Sequence, residues 1–371
     1  MTNRGENAQN YVFVRGKKHE LLNGALYLSG LGIKDLAEIE GLDRVVGLKE
    51  LHLEQNALTT FRGQPYLREV ERLFLDENQL ESIENLAVMT ALKDVTARHN
   101  KLREAPDISG NPAFEGYCLP YNQLTSITIP DGCNNITGLG LDHNQIETIR
   151  GLDHQPRLSG LELSHNRLRD TSWLGHHPNL DKLLLDHNEI ERLDHFDGLP
   201  GLVELDLSHN RLTNIDALAP CTKLERLDVS HNQLVQVDAI AHMPRLLHCW
   251  AFNNRITRLP PLETFVRINN DGMGGIYLFD QNEIAGIIIN RDIGVRHLGL
   301  TSNRITDASW IWKIWIDESE GNDPLYSGLG LDDNPLTPAS RADYDRFTEE
   351  AIDHERNLSC SEGSFDHVPL L

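Results

Sequence analysis

The stretch "LGLDHNQIETIRGLDHQPRLSGLELSHNRLRD", residues 139–170, carries His-Asn twice, at His143-Asn144 and at His165-Asn166. The surrounding leucines and isoleucines repeat in step with the dipeptide, and the two asparagines stand 22 residues apart. Outward from there, asparagines fall at 56, 78, 100, 122, 144, 166, 188, 210, 232 and 254, nine consecutive steps of 22, and less regularly at 282, 303 and 334. Around each runs L-x-x-L-x-L-x-x-N-x-L, as in Leu202, Leu205, Leu207, Asn210 and Leu212. Apolar residues recur five and eight places past the Asn, for example Ile149 and Leu152, or Ile215 and Leu218. Ahead of Asn56, the residues Leu26, Leu31 and Leu36 read in the same phase with Lys34 at the Asn place, giving thirteen units and a degenerate one in front.

In L-x-L the two leucines point to the same side of a strand. One such unit cannot bury that side alone, whereas stacked units bury a continuous core between neighbours. The expected fold is therefore an α/β solenoid. Its strands pair in parallel as a curved sheet on the concave face, and the I-x-x-L segments return as short 3-10 or extended turns on the convex face. The Asn amide has donors and an acceptor for backbone groups of its own and the adjacent unit. Leaving such a buried group unpaired costs about 1–3 kcal/mol, so the ladder is structural.

These residues resemble the leucine-rich repeat family, whose fold is a right-handed β-α superhelix, over residues 25–337. The constant 22-residue step resembles its SDS22-like subclass. The resemblance implies a non-catalytic protein-binding scaffold. The subclass raises regulation of a serine/threonine phosphatase, with no functional residue carried over. Repeats of the internalin type have about this length too, so an adhesin or secreted effector is the alternative. The polar start "MTNRGENAQN" has no signal-peptide h-region, which counts against it.

Outside the repeats, residues 1–24 read as a tail and capping hairpin with Gly16 near its turn, and 338–358 as a capping helix after Thr337-Pro338. Residues 359–371 read as a mobile tail. Two long steps interrupt the period: 28 from Asn254 to Asn282, including "VRINNDGMGG", and 31 from Asn303 to Asn334, including Trp310, Trp312 and Trp315. In a helix, Ile311, Ile314 and Trp315 would face the core and leave Trp310 or Trp312 more exposed, as core packing or as a second docking point.

The chain has 371 residues and a formal net charge of −22, which argues against nucleic acid or an anionic membrane as partner. Five widely spaced cysteines without a CxxC pair fit reduced thiols and a cytoplasmic setting. No phosphate loop or zinc spacing is present, and pairing the surface carboxylates as acid and base would be arbitrary. No enzyme and no cofactor is expected.

The residues between the core leucines should face a partner. Near the front they are mixed in charge (Glu50, His52, Glu54, Arg72, Asp76, Asp94, Arg98). A bare zone follows, with Gly116, Cys118, Gly138, Gly140 and Gly160 beside Tyr121. The partner-binding site is placed on the third zone: acidic Glu162, Asp186, Asp206 and Asp228, then His248, Trp250, Phe252 and Leu278. Such a face suits a protein with a basic surface, and exposed aromatics beside charge resemble a hot spot. Immediately before ladder asparagines stand His99, His143, His165, His187, His209 and His231, interrupted only by Tyr121. The last five are candidate metal or pH-sensing groups. Copying of the frame by duplication explains them as well, and a ladder on a curved sheet should diverge, so no metal site is assigned.

Overall fold

The structure, a computed structural model, describes residues 9–153, 155–266, 275–316 and 328–348. The tail 359–371, the helix beyond 348, most of "VRINNDGMGG" and the side chain of Trp315 lie outside the described residues. The chain divides into two compact units, Met1–Arg211 and Leu212–Leu371.

Each unit is a stack of parallel three-residue strands, and each L-x-L leucine pair is the reason. In the first unit the strands are Ala25–Tyr27, Glu50–His52, Arg72–Phe74, Asp94–Thr96, Gly116–Cys118, Gly138–Gly140, Gly160–Glu162, Lys182–Leu184 and Glu204–Asp206. In the second they are Arg226–Asp228, His248–Trp250, Ile276–Leu278, His297–Gly299 and Gly328–Gly330. The central residue of each points into the core. Leu161, Leu183 and Leu205 stand in register and are at most 1% exposed. Burying one such side chain contributes about 1.5–3 kcal/mol. Opposite the strands, the return segments are 3-10 turns such as Asp216–Leu218 and short parallel pairs such as Ser126–Thr128 with Thr148–Arg150. This is the leucine-rich repeat solenoid that the period predicts.

The asparagine ladder makes the bonds its amide permits. Asn166 Oδ1 accepts the Ile146 N–H of the preceding repeat at 2.9 Å, while its Nδ2 donates to Leu141 O and Leu163 O, each at 3.0 Å. The pattern recurs at Asn188 and, in the second unit, at Asn282 and Asn303.

The front repeat differs from its reading in the sequence. Leu26 pairs with Leu51, an offset of 25, so Leu31 rather than Lys34 stands where the ladder puts Asn. The N–H groups of Leu31 and Ile33 both donate to Asn56 Oδ1 at 3.0 Å. Before that repeat, Tyr11–Val14 and Lys17–Glu20 form an antiparallel hairpin whose turn is Arg15 (φ 49°) and Gly16 (φ 76°). Both positive φ values suit a tight hairpin turn. At the other end, Thr337 Oγ1 accepts the Ser340 N–H at 3.2 Å and opens a helix over 338–348. Tyr344 from that helix bonds Leu329 O and Leu331 N. In the long step before it, Trp310, Ile311 and Ile314 are buried. Trp312 is 42% exposed and lies edge-on to Phe347 at 5.8 Å, beneath the Arg346 guanidinium at 4.6 Å.

Candidate functional site

The first and third residues of each strand face away from the core, and they supply the strand face. In the first unit, Glu162, Asp186 and Asp206 are half-buried there, but none is an idle carboxylate. Glu162 pairs with Lys182 Nζ at 3.4 Å. Asp186 accepts from His187 Nδ1 at 2.9 Å and from the Ser164 hydroxyl. Asp206 Oδ1 accepts the Ser208 N–H at 2.9 Å. The bare zone is real: Gly116, Gly138 and Gly160 stand in register on adjacent strands. Only Gly116 is required by close approach, since a Cβ there would sit 2.4 Å from Gly138 O. Beside Gly140, the Cys118 thiol accepts from Arg98 Nε at 3.1 Å, yet burial outweighs the guanidinium and pushes the thiol up.

The first unit also holds a ring stack that the charged reading of its front missed. His52 lies between Tyr27 and Phe74 at centroid distances of 4.4 and 4.2 Å, with Glu54 Oε1 3.0 Å from its Nδ1. Tyr27 and Phe74 take the same strand position as His52, a signal present in the register. On the opposite, turn side is a groove of about 1090 Å³ lined by Ile149, Pro156, Trp173, Leu174, Pro178 and His195. No periodic feature of the sequence marks it.

In the second unit, Asp228, Trp250, Leu278, Gly299 and Gly330 occupy equivalent positions on consecutive strands. Trp250 and Leu278 thus form a half-exposed apolar step beside two strands without a side chain at that position. Tyr277 and Phe279 are fully buried, as the frame to Asn282 predicts. The Trp250 ring stacks on His248 at 5.7 Å, and Phe252 meets His231 edge-on at 5.2 Å. Burial, then the Arg226 and Arg296 charges, hold His248 below the usual imidazole range. Two arginines thus act on His248, a feature absent from the acidic run of the sequence.

The residue before each ladder Asn has left-handed backbone, with φ between 52° and 59° from Gln55 to Asp333. His, Asn and Asp tolerate this region better than most residues, which accounts for the histidines. Tyr121 does not break their row. His99, Tyr121, His143, His165, His187 and His209 stack in order, with centroids 4.1–4.3 Å apart. The rings run parallel rather than diverging. Burial, then the flanking His187 and His143, keep His165 below its ordinary value. Among the described residues, His165, Asp186 and His187 form the cluster whose donor atoms could hold a metal ion.

Comparison with known proteins agrees with this architecture. A leucine rich repeat family profile matches residues 178–234. The chain is similar to the functional domain of InlJ from Listeria monocytogenes, with 24% identity over 85% of this chain and 64% of that one and a TM-score of 0.64. It therefore spans less than two thirds of that structure's length. It is also similar to a leucine-rich repeat protein of Leptospira interrogans (20% identity, 85% and 79% covered, TM-score 0.67). A third likeness is to YopM, an effector from Yersinia pestis (19% identity, 83% and 88% covered, TM-score 0.55). No curated protein matches by sequence. At these identities the likeness is one of fold, and the fold is the leucine-rich repeat solenoid. No helix among the described residues is long and apolar enough to cross a membrane.

Proposed function

We propose that the protein is a non-catalytic scaffold that binds another protein on its strand face. The observation that carries this reading is the half-exposed Trp250–Leu278 step with Phe252 beside it. A buried core would have enclosed these side chains; an interface uses them as anchors. In the second unit the contact residues are Asp228, His248, Trp250, Phe252 and Leu278. In the first unit Glu162, Asp186, Asp206 and the exposed ring of Tyr121 offer acidic and aromatic contacts to a partner with a basic surface. The 22-residue step makes a serine/threonine phosphatase one partner to test directly. The InlJ and YopM likenesses favour a second reading, an adhesin or secreted effector, which uses the same face.

Affinity capture with the intact chain, run beside Trp250→Ala with Phe252→Ala, tests the site. A partner held by the first and lost by the second, at an unchanged melting temperature, supports it. Equal capture by both moves the contact elsewhere. A large loss of stability assigns both rings to the core.

A further inference from the structure

The His165–Asp186–His187 cluster is distinguished by its place in the repeat. The residue two before a ladder Asn is Arg98, Pro120, Asp142, Ser164, Asp186, Ser208 and Ser230 in successive repeats. A carboxylate there meets the histidine of its own repeat and the ring of the preceding one. For Asp142 the preceding ring is Tyr121; for Asp186 it is His165. In this stretch only Asp186 has a histidine on both sides.

The structure uses that coincidence. Asp186 Oδ2 lies 2.9 Å from His187 Nδ1 and 3.9 Å from His165 Nε2, and one donor atom from each residue falls within 4.8 Å of the others. Donors around a tetrahedral zinc ion, at bond lengths near 2.0–2.1 Å, stand about 3.3 Å apart. The two separations bracket that value, and because the His165 and His187 rings stack 16° from parallel, one imidazole turns about its Cβ–Cγ bond to aim its lone pair at the ion. The second Asp186 oxygen accepts from the Ser164 hydroxyl, which fixes the carboxylate as outer partners do in metal sites. The imidazoles are about 40% exposed, leaving room for water to complete the coordination.

We propose that His165, Asp186 and His187 bind one first-row divalent cation, of which Zn2+ is the type, with Ser164 orienting the carboxylate. Two imidazoles and a carboxylate suit Zn2+, Cu2+ or Ni2+ and disfavour Mg2+ or Ca2+. Coordination through His187 Nδ1 uses the tautomer whose ring proton is on Nε2. The site does not rest on the partner-binding reading, because it is measured on the protein alone.

The test is calorimetric titration of ZnCl2 into the chelator-treated, tag-free 371-residue chain. Asp186→Asn, His165→Asn and His187→Asn run alongside, with His99→Asn as control. Asparagine is chosen because Asn253 holds the same left-handed bend at φ 52°. Expected is saturable uptake of about one Zn2+ per chain, weakened about tenfold or more by each of the three substitutions and unchanged in the control. Absent saturable uptake, or equal uptake by Asp186→Asn, overturns the proposal. Should Asp186→Asn lose its far-UV spectrum, His187→Asn decides by the same criterion.

Discussion

At Asn188 one amide joins two repeats. Its Oδ1 accepts the Leu168 N–H at 3.0 Å, and its Nδ2 donates to Leu163 O at 2.9 Å and Leu185 O at 3.1 Å. Asn188→Ala leaves these buried groups unpaired and should lower stability by about 1–3 kcal/mol in urea unfolding. A neutral result would show that the ladder holds nothing together. The neighbouring left-handed position behaves differently. At His143 (φ 52°) a β-branched residue is strained, so His143→Val should destabilise by about 1–2 kcal/mol while His143→Asn stays near neutral. The asparagine role was legible because its period is the period of the fold. The bend was not read, although a signal existed: no β-branched residue occupies the position from Gln55 to Asp333. Histidine titration adds a pH dependence. His165, His248 and His297 all lie below the usual 6.5, chiefly through burial. Below 6.5 the unfolded chain then binds more protons than the folded one, so stability rises with pH in that range. The urea midpoint should fall as pH drops from 6.5 through their lower folded values, with no contribution from these groups to any change above it.

At the scale of elements, the apolar pair before each Asn places the strands, including Ile276–Leu278 after the step of 28, whereas the frame in front of Asn56 misleads. In front of Asn56 the step is 25: Leu26 to Ile33 spans the same seven places as Leu51 to Leu58, so the three extra residues lie after Ile33, and the leucines at 31 and 36 imitate the frame. Composition cannot distinguish a core leucine from one at the Asn place; only pairing does. The Trp250–Leu278 step was legible for the same reason that Tyr277 was assigned to the core, because alternation in a strand fixes both faces together. The Tyr27–His52–Phe74 stack is a cross-strand row of rings that emerges only from the register, since its members lie 25 and 22 residues apart among charged neighbours. At the other end the helix over 338–348 is tied to the last described strand by one hydroxyl. Tyr344 Oη donates to Leu329 O at 3.1 Å and accepts the Leu331 N–H at 3.2 Å. Tyr344→Phe should therefore cost about 1–3 kcal/mol, read as earlier hydrogen exchange at Leu331 than in the unmodified protein. Unchanged exchange would mean that packing alone seats the helix.

For the molecule as a whole, 56 acidic against 34 basic residues leave a net charge of −22. Ion pairs are numerous on its surface but most are exposed, such as Lys18–Glu20 with side chains 46% and 58% exposed. Pairs of that kind contribute about 0–1 kcal/mol each. Glu71 is a stronger case, since hydrogen bonds from Lys49 and Lys93, in the repeats on either side, bring its carboxyl down to about 2. The unbalanced negative charge opposes the compact state through self-repulsion, and salt shortens its range to about 10 Å at 0.1 M. Screening the repulsion should outweigh loss of the weak pairs. The melting temperature should thus rise by a few degrees as NaCl goes from about 0.02 to about 0.3 M, where 1 kcal/mol moves a chain of 150–250 residues by about 2–4 °C. The proposed partner makes the opposite demand. If a basic surface meets the acidic strand face, the same salt should weaken the complex, mainly by slowing association. Following both quantities in one salt series therefore separates two uses of the charge. A fall in melting temperature would assign the dominant share to pairs like that of Glu71. Salt-independent binding would leave the Trp250 step as the contact and remove the acidic residues from it.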